Sequence, residues 1–294
     1  MRVFITGATG FIGSAIIPEL LNAGHQVLGL TRSDEGEKFL RTSGAEVLRG
    51  EMSDLESLER GASISNGVIH AAFNHDFSNF VENCELDRRA IEAIGSALEG
   101  SNKPFIITSG LPLPLSPNSL TSEEDDVPSD SGGSPRVSEQ TAMTLVERNI
   151  NASVVRMSQA HDINKQGLAT FMMAIAREKN VSAYVGDGLN QWAAVHRLDA
   201  ASLYRLALEK GSAGAKYHAV SEESIHIKDI AEAIGRRLNI PVVALSSEEA
   251  KHHFGWLGFP VSMDAPASSV LTRQRLGWQP KEKSGFLANL ELNT

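Results

Sequence analysis

Three glycines at positions 7, 10 and 13, in the stretch "TGATGFIG" (6–13), have the type and spacing to hold a phosphate. They sit directly between an apolar run, "RVFIT" (2–6), and a helical pattern. Gly7 allows a tight exit from a strand, and Gly10 lets backbone amides approach an anion with no Cβ in the way. Gly13 permits close packing of helix on strand, and the helix N-terminus adds partial positive charge. The G-x-x-G-x-x-G spacing differs from the more familiar G-x-G-x-x-G fingerprint, but its place between strand and helix predicts a dinucleotide site. The end of the next strand, "GLTRSDEG", then selects the nucleotide. An acidic residue there would bind a ribose hydroxyl, whereas Arg32 and Ser33, which precede Asp34, suit a 2′-phosphate. NADP(H) is therefore expected over NAD(H); otherwise Arg32 is a solvated loop residue.

The elements that must position this loop alternate. Strands are expected at 2–6, 25–31, 45–50, 67–73, 104–110 and 152–157, with a seventh at 216–220. A helix follows the glycine loop and ends at Gly24, "SDLE" (53–56) reads as a capping box, and further helices are expected near 79–98 and 138–149. Near-continuous apolar strands alternating with helices predict an α/β fold with a doubly wound parallel sheet, a Rossmann domain over 1–160 that is completed by about 190–220. Residues 161–189 and 221–294 are expected to form a smaller C-terminal substrate lobe. The loop 111–136 holds five of the eleven prolines and the acidic cluster "SEEDD". It follows a strand end, where it is read either as a lid or as a solvated surface loop.

Composition excludes several classes. The 294 residues carry 27 Lys and Arg against 36 Asp and Glu, a formal charge of −9, with no basic run. A nucleic-acid or anionic-membrane partner is not expected. The single cysteine, Cys84, permits neither an intrachain disulfide nor a cysteine-rich metal site. No apolar stretch approaches membrane-spanning length and no leader pattern opens the chain, so a cytoplasmic protein acting on a small molecule is expected. A homodimer is compatible with this reading.

Several segments resemble the extended, atypical branch of the short-chain dehydrogenase/reductase superfamily. These are "FITGATGFIG" (4–13), "GVIHAAF" (67–73), Asn83, "ITSG" (107–110), "VVRMSQAHD" (154–162), "YVGDG" (184–188), "AVHRLDAA" (194–201) and "RLGWQP" (275–280). The resemblance implies that Gly7, Thr9, Gly10, Phe11, Ile12 and Gly13 lie along the pyrophosphate. Glu51 and Met52 would flank the adenine, and Ala71 and Ala72 the nicotinamide ribose. Ser109 would stand at the family's catalytic serine, to hydrogen-bond a substrate oxygen. The resemblance also aligns Glu139 with an acidic residue that follows the family's catalytic lysine, which sets Ser131 and Pro135 at the tyrosine and lysine positions.

The Tyr-x-x-x-Lys pair is missing. The first tyrosine of the chain is Tyr184, and no lysine occurs between Lys103 and Lys165. His161 is a candidate proton donor because imidazole titrates near neutrality; its alternative is a loop-shaping hydrogen bond. Tyr184 is a second candidate, against a packed phenol, and an ordered water a third. Arg197 could bind an anion or pair with an acid, and His75 and Asp76 could face the crevice or cap a helix. The pair His252–His253 lacks supporting ligands and reads as helix surface rather than metal site. The reading is an NADP(H)-dependent reductase of an aldehyde or ketone. A non-redox isomerase or lyase, or a dinucleotide-sensing regulator without turnover, stays open beside it.

Overall fold

The computed structural model describes residues 1–76, 79–111, 122–126 and 137–292. Seven parallel strands form the central sheet: β1 (Arg2–Thr6), β2 (Gln26–Thr31), β3 (Glu46–Arg49), β4 (Gly67–His70), β5 (Phe105–Gly110), β6 (Ala152–Met157) and β10 (Lys216–Ala219). Their order is β10-β6-β5-β4-β1-β2-β3. The chain therefore reverses direction across the sheet between β1 and β4, and a crevice opens at the C-terminal ends of those two strands. Apart from the β3 edge and the C-terminal end of β5, the strand interiors are buried on both faces, which explains the unbroken apolar runs.

Helices α1 (Gly13–Asn22), α2 (Asp34–Thr42), α3 (Leu55–Ser63), α4 (Phe80–Ala97) and α5 (Ser138–Glu147) connect the first strands. Two apolar layers result. Ile16, Ile17 and Leu20 of α1 pack with Leu203, Tyr204 and Ala207 of a later helix on one face, and Leu58, Ile91, Ile94 and Leu145 pack on the other. One local expectation changes. The first turn of α3 is capped by Asp54, whose carboxylate accepts from the Ser57 amide, because the Ser53 hydroxyl is engaged by Glu51. Helix α5 begins at Ser138 without a side-chain cap, because that hydroxyl donates to Asp87 instead.

The smaller lobe is built around β7 (Gln159–His161), β9 (Gln191–His196) and β11 (Glu222–His226), with β9 central. Residues 191–196, expected near the completion of the Rossmann part, thus belong to a separate sheet. Helix α7 (Arg197–Lys210) then returns the chain to the main sheet. A two-stranded sheet of β8 (Ser182–Val185) and β12 (Val242–Leu245) adjoins α6 (Ala169–Lys179), α8 (Ile227–Leu238), α9 (Ser247–Phe254) and the short α10 (Gly258–Ser262). Trp192, Phe254, Leu257 and Phe286 fill the core of this lobe. The C-terminal helix α12 (Phe286–Glu291) packs on α8 and β9 of this lobe, whereas α11 (Val270–Leu276) lies against β10 and α7. No described helix is long and apolar enough to cross a membrane.

Within the long loop, the described segment 122–126 is tied down. Ser122 bridges to Ala267, the Glu124 carboxylate accepts from the Thr272 amide at 2.6 Å, and Asp125 pairs with Arg275. The acidic cluster is therefore anchored at its middle rather than freely solvated.

Candidate functional site

The turn after β1 is backbone packed on backbone. Gly7 has φ +69°, and a Cβ built there would meet the Ala71 carbonyl and the Ala72 amide at 2.7 Å. A Cβ on Gly13 would lie 2.1 Å from the Gly7 oxygen. The Gly10 amide closes the turn on Gly7, while those of Phe11, Ile12 and Gly13 have no backbone acceptor among the described residues. These free amides at the start of α1 fit the phosphates of a dinucleotide. Thr9 lies in the same turn.

The other residues expected at the nucleotide follow the C-terminal ends of β2, β3 and β4. Arg32 projects from the end of β2 with its side chain 82 % exposed, its only carboxylate neighbour among the described residues being Glu51 at 4.0 Å. Ser33 is the N-cap of α2, its hydroxyl accepting from Gly36 at 3.0 Å. Glu51 and Met52 follow β3; Met52 rests half-buried against the apolar layer beneath. Ala71 and Ala72 leave β4 beside the glycine turn, and their amides are held by the Thr6 carbonyl at 3.2 Å and the Thr6 hydroxyl at 3.4 Å.

Behind Ala71 and Ala72 lies a buried polar chain. Asp87 on α4 accepts from the Ser138 hydroxyl and lies 3.0 Å from His70 Nε2; His70 Nδ1 lies 2.8 Å from the Thr6 hydroxyl. An ionised Asp87 can only accept, so Nε2 carries the imidazole proton and Nδ1 accepts from Thr6. The Thr6 oxygen is then left to accept from Ala72. The network ties the start of α5 to the wall of the crevice. The sequence offered only a weak signal for it: an Asp and a Ser in the buried phase of two helices.

Ser109 stands half-buried near the end of β5, in register with Arg156, on the strand next to β4. Its neighbour Thr108 bonds the His70 carbonyl at 2.8 Å and lies 2.7 Å from the Tyr204 hydroxyl, which fixes the strand end. Arg156, fully buried, forms a two-pronged ion pair with Glu139 at 2.6 and 2.7 Å. It also donates to the carbonyls of Glu124 and Asp126, stapling the loop to the sheet. Sequence reasoning had matched Glu139 by resemblance but missed its partner. Ser131 and Pro135 lie outside the described residues.

The candidate acids lie on strands outside the main sheet that carries Ser109. His161 is fully buried, its Nδ1 2.9 Å from the Asn289 amide and its Nε2 3.5 Å from Glu222, with Phe286 and His196 edge-on to the ring. Burial, and then the neighbouring His161, lower the pKa of His196, which caps α7. Tyr184 lies on β8, packed against Gly188 and beneath Lys228, within the smaller lobe. His75 and Asp76 serve the approach to α4: His75 bonds the Phe73 carbonyl, and the Asp76 carboxylate accepts from Asn79. The carbonyls of His252 and His253 are gripped by Lys179, and no metal-ligand cluster occurs among the described residues.

Residues 3–98 match the NAD dependent epimerase/dehydratase family. The whole chain is 46% identical to the uncharacterized protein YLL056C of Saccharomyces cerevisiae, covering 99% of that protein. Among solved structures it is similar to gox2253, at 24% identity with a TM-score of 0.77, over 98% of this chain and 96% of that one. It is also similar to the Thermus thermophilus UDP-glucose 4-epimerase in complex with NAD, at 19% identity with a TM-score of 0.75, over 99% and 97% of the two chains.

Proposed function

This chain belongs to the NAD dependent epimerase/dehydratase family, within the extended short-chain dehydrogenases/reductases, and on that premise we propose that it reduces an aldehyde or ketone of a small organic substrate with NADP(H). The observation that carries the reading is the glycine cradle opening between β1 and β4, with Arg32 exposed at the end of β2 and Ser109 near the end of β5. Gly7, Thr9, Gly10, Phe11, Ile12 and Gly13 would hold the pyrophosphate, Glu51 and Met52 the adenine, and Ala71 and Ala72 the nicotinamide ribose. Arg32, with the cap residue Ser33 fixing its loop, would take the 2′-phosphate by charge-assisted hydrogen bonds.

When bound, the nicotinamide supplies a hydride. The chain's own part is orientation. The Ser109 hydroxyl would donate to a substrate carbonyl oxygen, polarising it and fixing its face. The alkoxide oxygen must also receive a proton. His161 and Tyr184 were the side-chain candidates; the enclosure of His161 and the packing of Tyr184 within the smaller lobe favour a water held at Ser109. General acid catalysis is worth about 10²–10⁴-fold, so turnover through water is slower but not abolished.

The test is NADPH consumption at 340 nm across an aldehyde and ketone panel. Activity is expected with at least one member, and Ser109→Ala should lower kcat about 100-fold with little change in nucleotide affinity. Undiminished turnover in Ser109→Ala would remove Ser109 from the mechanism. Undiminished turnover in His161→Gln and Tyr184→Phe is the expected result and supports water as the proton source. The missing Tyr-x-x-x-Lys pair supports a second reading, a nucleotide-sensing protein. Tight binding of NADPH with no consumption by any carbonyl compound would select it.

A further inference from the structure

Helix α1, which starts at the glycine cradle, has no basic residue in its last turn and no acidic residue in its first; its sequence, GSAIIPELLN, contains no cation at all. A diphosphate seated there carries two negative charges, which free amides alone only partly offset. Two cations from the smaller lobe lie against the same loop. The Arg197 guanidinium, from the first turn of α7, sits 4.8 Å from the centre of the Phe11 ring and donates to the Ser14 hydroxyl at 2.9 Å. The Lys165 ammonium lies 5.4 Å from the same ring centre.

Both cations are organised by one residue. The Asp162 carboxylate accepts the amides of Asn164 and Lys165 at 2.8 and 3.0 Å, and the Asp162 amide donates to the Lys165 carbonyl at 2.8 Å. This tight turn folds Lys165 back toward Phe11. The other carboxylate oxygen of Asp162 holds Arg197 at 3.1 Å. Arg197 is thus largely neutralised by its own acid. Lys165 is exposed and has no carboxylate partner within 4 Å among the described residues. An exposed lysine aimed at a loop of free amides, in a chain of net charge −9, marks the place where an anion is expected.

We propose that Lys165, backed by Arg197 and positioned by Asp162, closes over Phe11 as a cationic clasp for the diphosphate of the bound dinucleotide. The clasp rests on the nucleotide-binding reading above and adds to it a ligand group from the smaller lobe. It also gives that lobe a direct stake in nucleotide binding, since Lys165 and Arg197 follow β7 and β9 rather than a strand of the main sheet.

Two probes separate the phosphates: ADP-ribose carries the diphosphate without a 2′-phosphate, and 2′-AMP carries the reverse. Each is titrated calorimetrically into wild type, Lys165→Met, Lys165→Arg and Arg32→Ala. Lys165→Met is expected to weaken ADP-ribose about tenfold, as loss of one charged hydrogen bond does, and to leave 2′-AMP unchanged. Lys165→Arg should retain most of the affinity, and Arg32→Ala should show the opposite selectivity. Equal ADP-ribose affinity in wild type and Lys165→Met overturns the clasp while leaving the nucleotide site intact. Equal weakening of both probes overturns the diphosphate assignment. Failure of the wild type to bind ADP-ribose, 2′-AMP or NADPH overturns the nucleotide reading, and the clasp with it.

Discussion

Acidification from pH 7.5 to pH 5 is expected to destabilise the fold through His218, and the structure sets the size of the effect. The ring is fully buried on β10, with Nε2 3.1 Å from an Arg156 nitrogen and Nδ1 2.8 Å from the Ser268 carbonyl. Arginine can only donate and a carbonyl only accept, so Nδ1 carries the proton and Nε2 is the acceptor. The neutral ring satisfies both partners. A second proton would have to face the guanidinium inside the protein. Burial, and then Arg156, push the pKa down from 6.5 to about 4. The unfolded chain takes up this proton near pH 6.5, whereas the folded chain resists it until about pH 4. The contribution is therefore fully present above pH 6.5 and is lost as pH falls through that interval. At about 1.4 kcal/mol per pH unit, the loss at pH 5 is about 2 kcal/mol. The assay is urea unfolding at pH 7.5 and pH 5 for wild type and His218→Gln, whose amide can accept from Arg156 and donate to Ser268 without titrating. The wild type should lose about 2 kcal/mol more than the variant between the two pH values. His196, also lowered by burial, is present in both proteins and cancels in the comparison. An identical pH response in the two proteins would refute the reasoning.

Other perturbations probe the rest of the site. Gly13→Ala places a methyl 2.1 Å from the Gly7 carbonyl oxygen; the turn must shift, and dinucleotide affinity should fall at least about tenfold, with a stability loss of about 1–3 kcal/mol, read by titration and thermal melting. Arg32→Ala should weaken NADPH about tenfold and leave NADH nearly unchanged, and equal effects on both nucleotides would remove Arg32 from the 2′-phosphate site. Arg156→Leu leaves buried Glu139 only its longer contact with Lys216 at 3.7 Å and should cost about 3–5 kcal/mol in denaturant unfolding, while Arg156→Leu with Glu139→Leu should recover part of it. Asp87→Asn removes the charged acceptor between His70 and Ser138 and should cost about 1–3 kcal/mol.

The strand–helix alternation and the glycine turn between β1 and α1 were legible from local pattern. A buried parallel strand must be apolar on both faces, a strand-to-helix turn packed on backbone must be glycine, and both requirements are written within a few residues. The missing Tyr-x-x-x-Lys pair was equally plain, because an absent residue type needs no coordinates to detect. Partnerships across long separations were not legible. Arg156 with Glu139 and with the loop carbonyls, Asp87 with His70 and Ser138, and Lys165 and Arg197 over Phe11 each join residues whose spacing follows no helical or strand period. His161 shows the same limit from the other side: a histidine just after a sheet strand reads as a candidate acid, but its partners and its enclosure come from Asn289, Phe286 and Glu222, far along the chain. Periodicity determines which face of an element is buried. Only the packing of distant elements decides which polar groups meet inside, and therefore which of them are free to face a substrate.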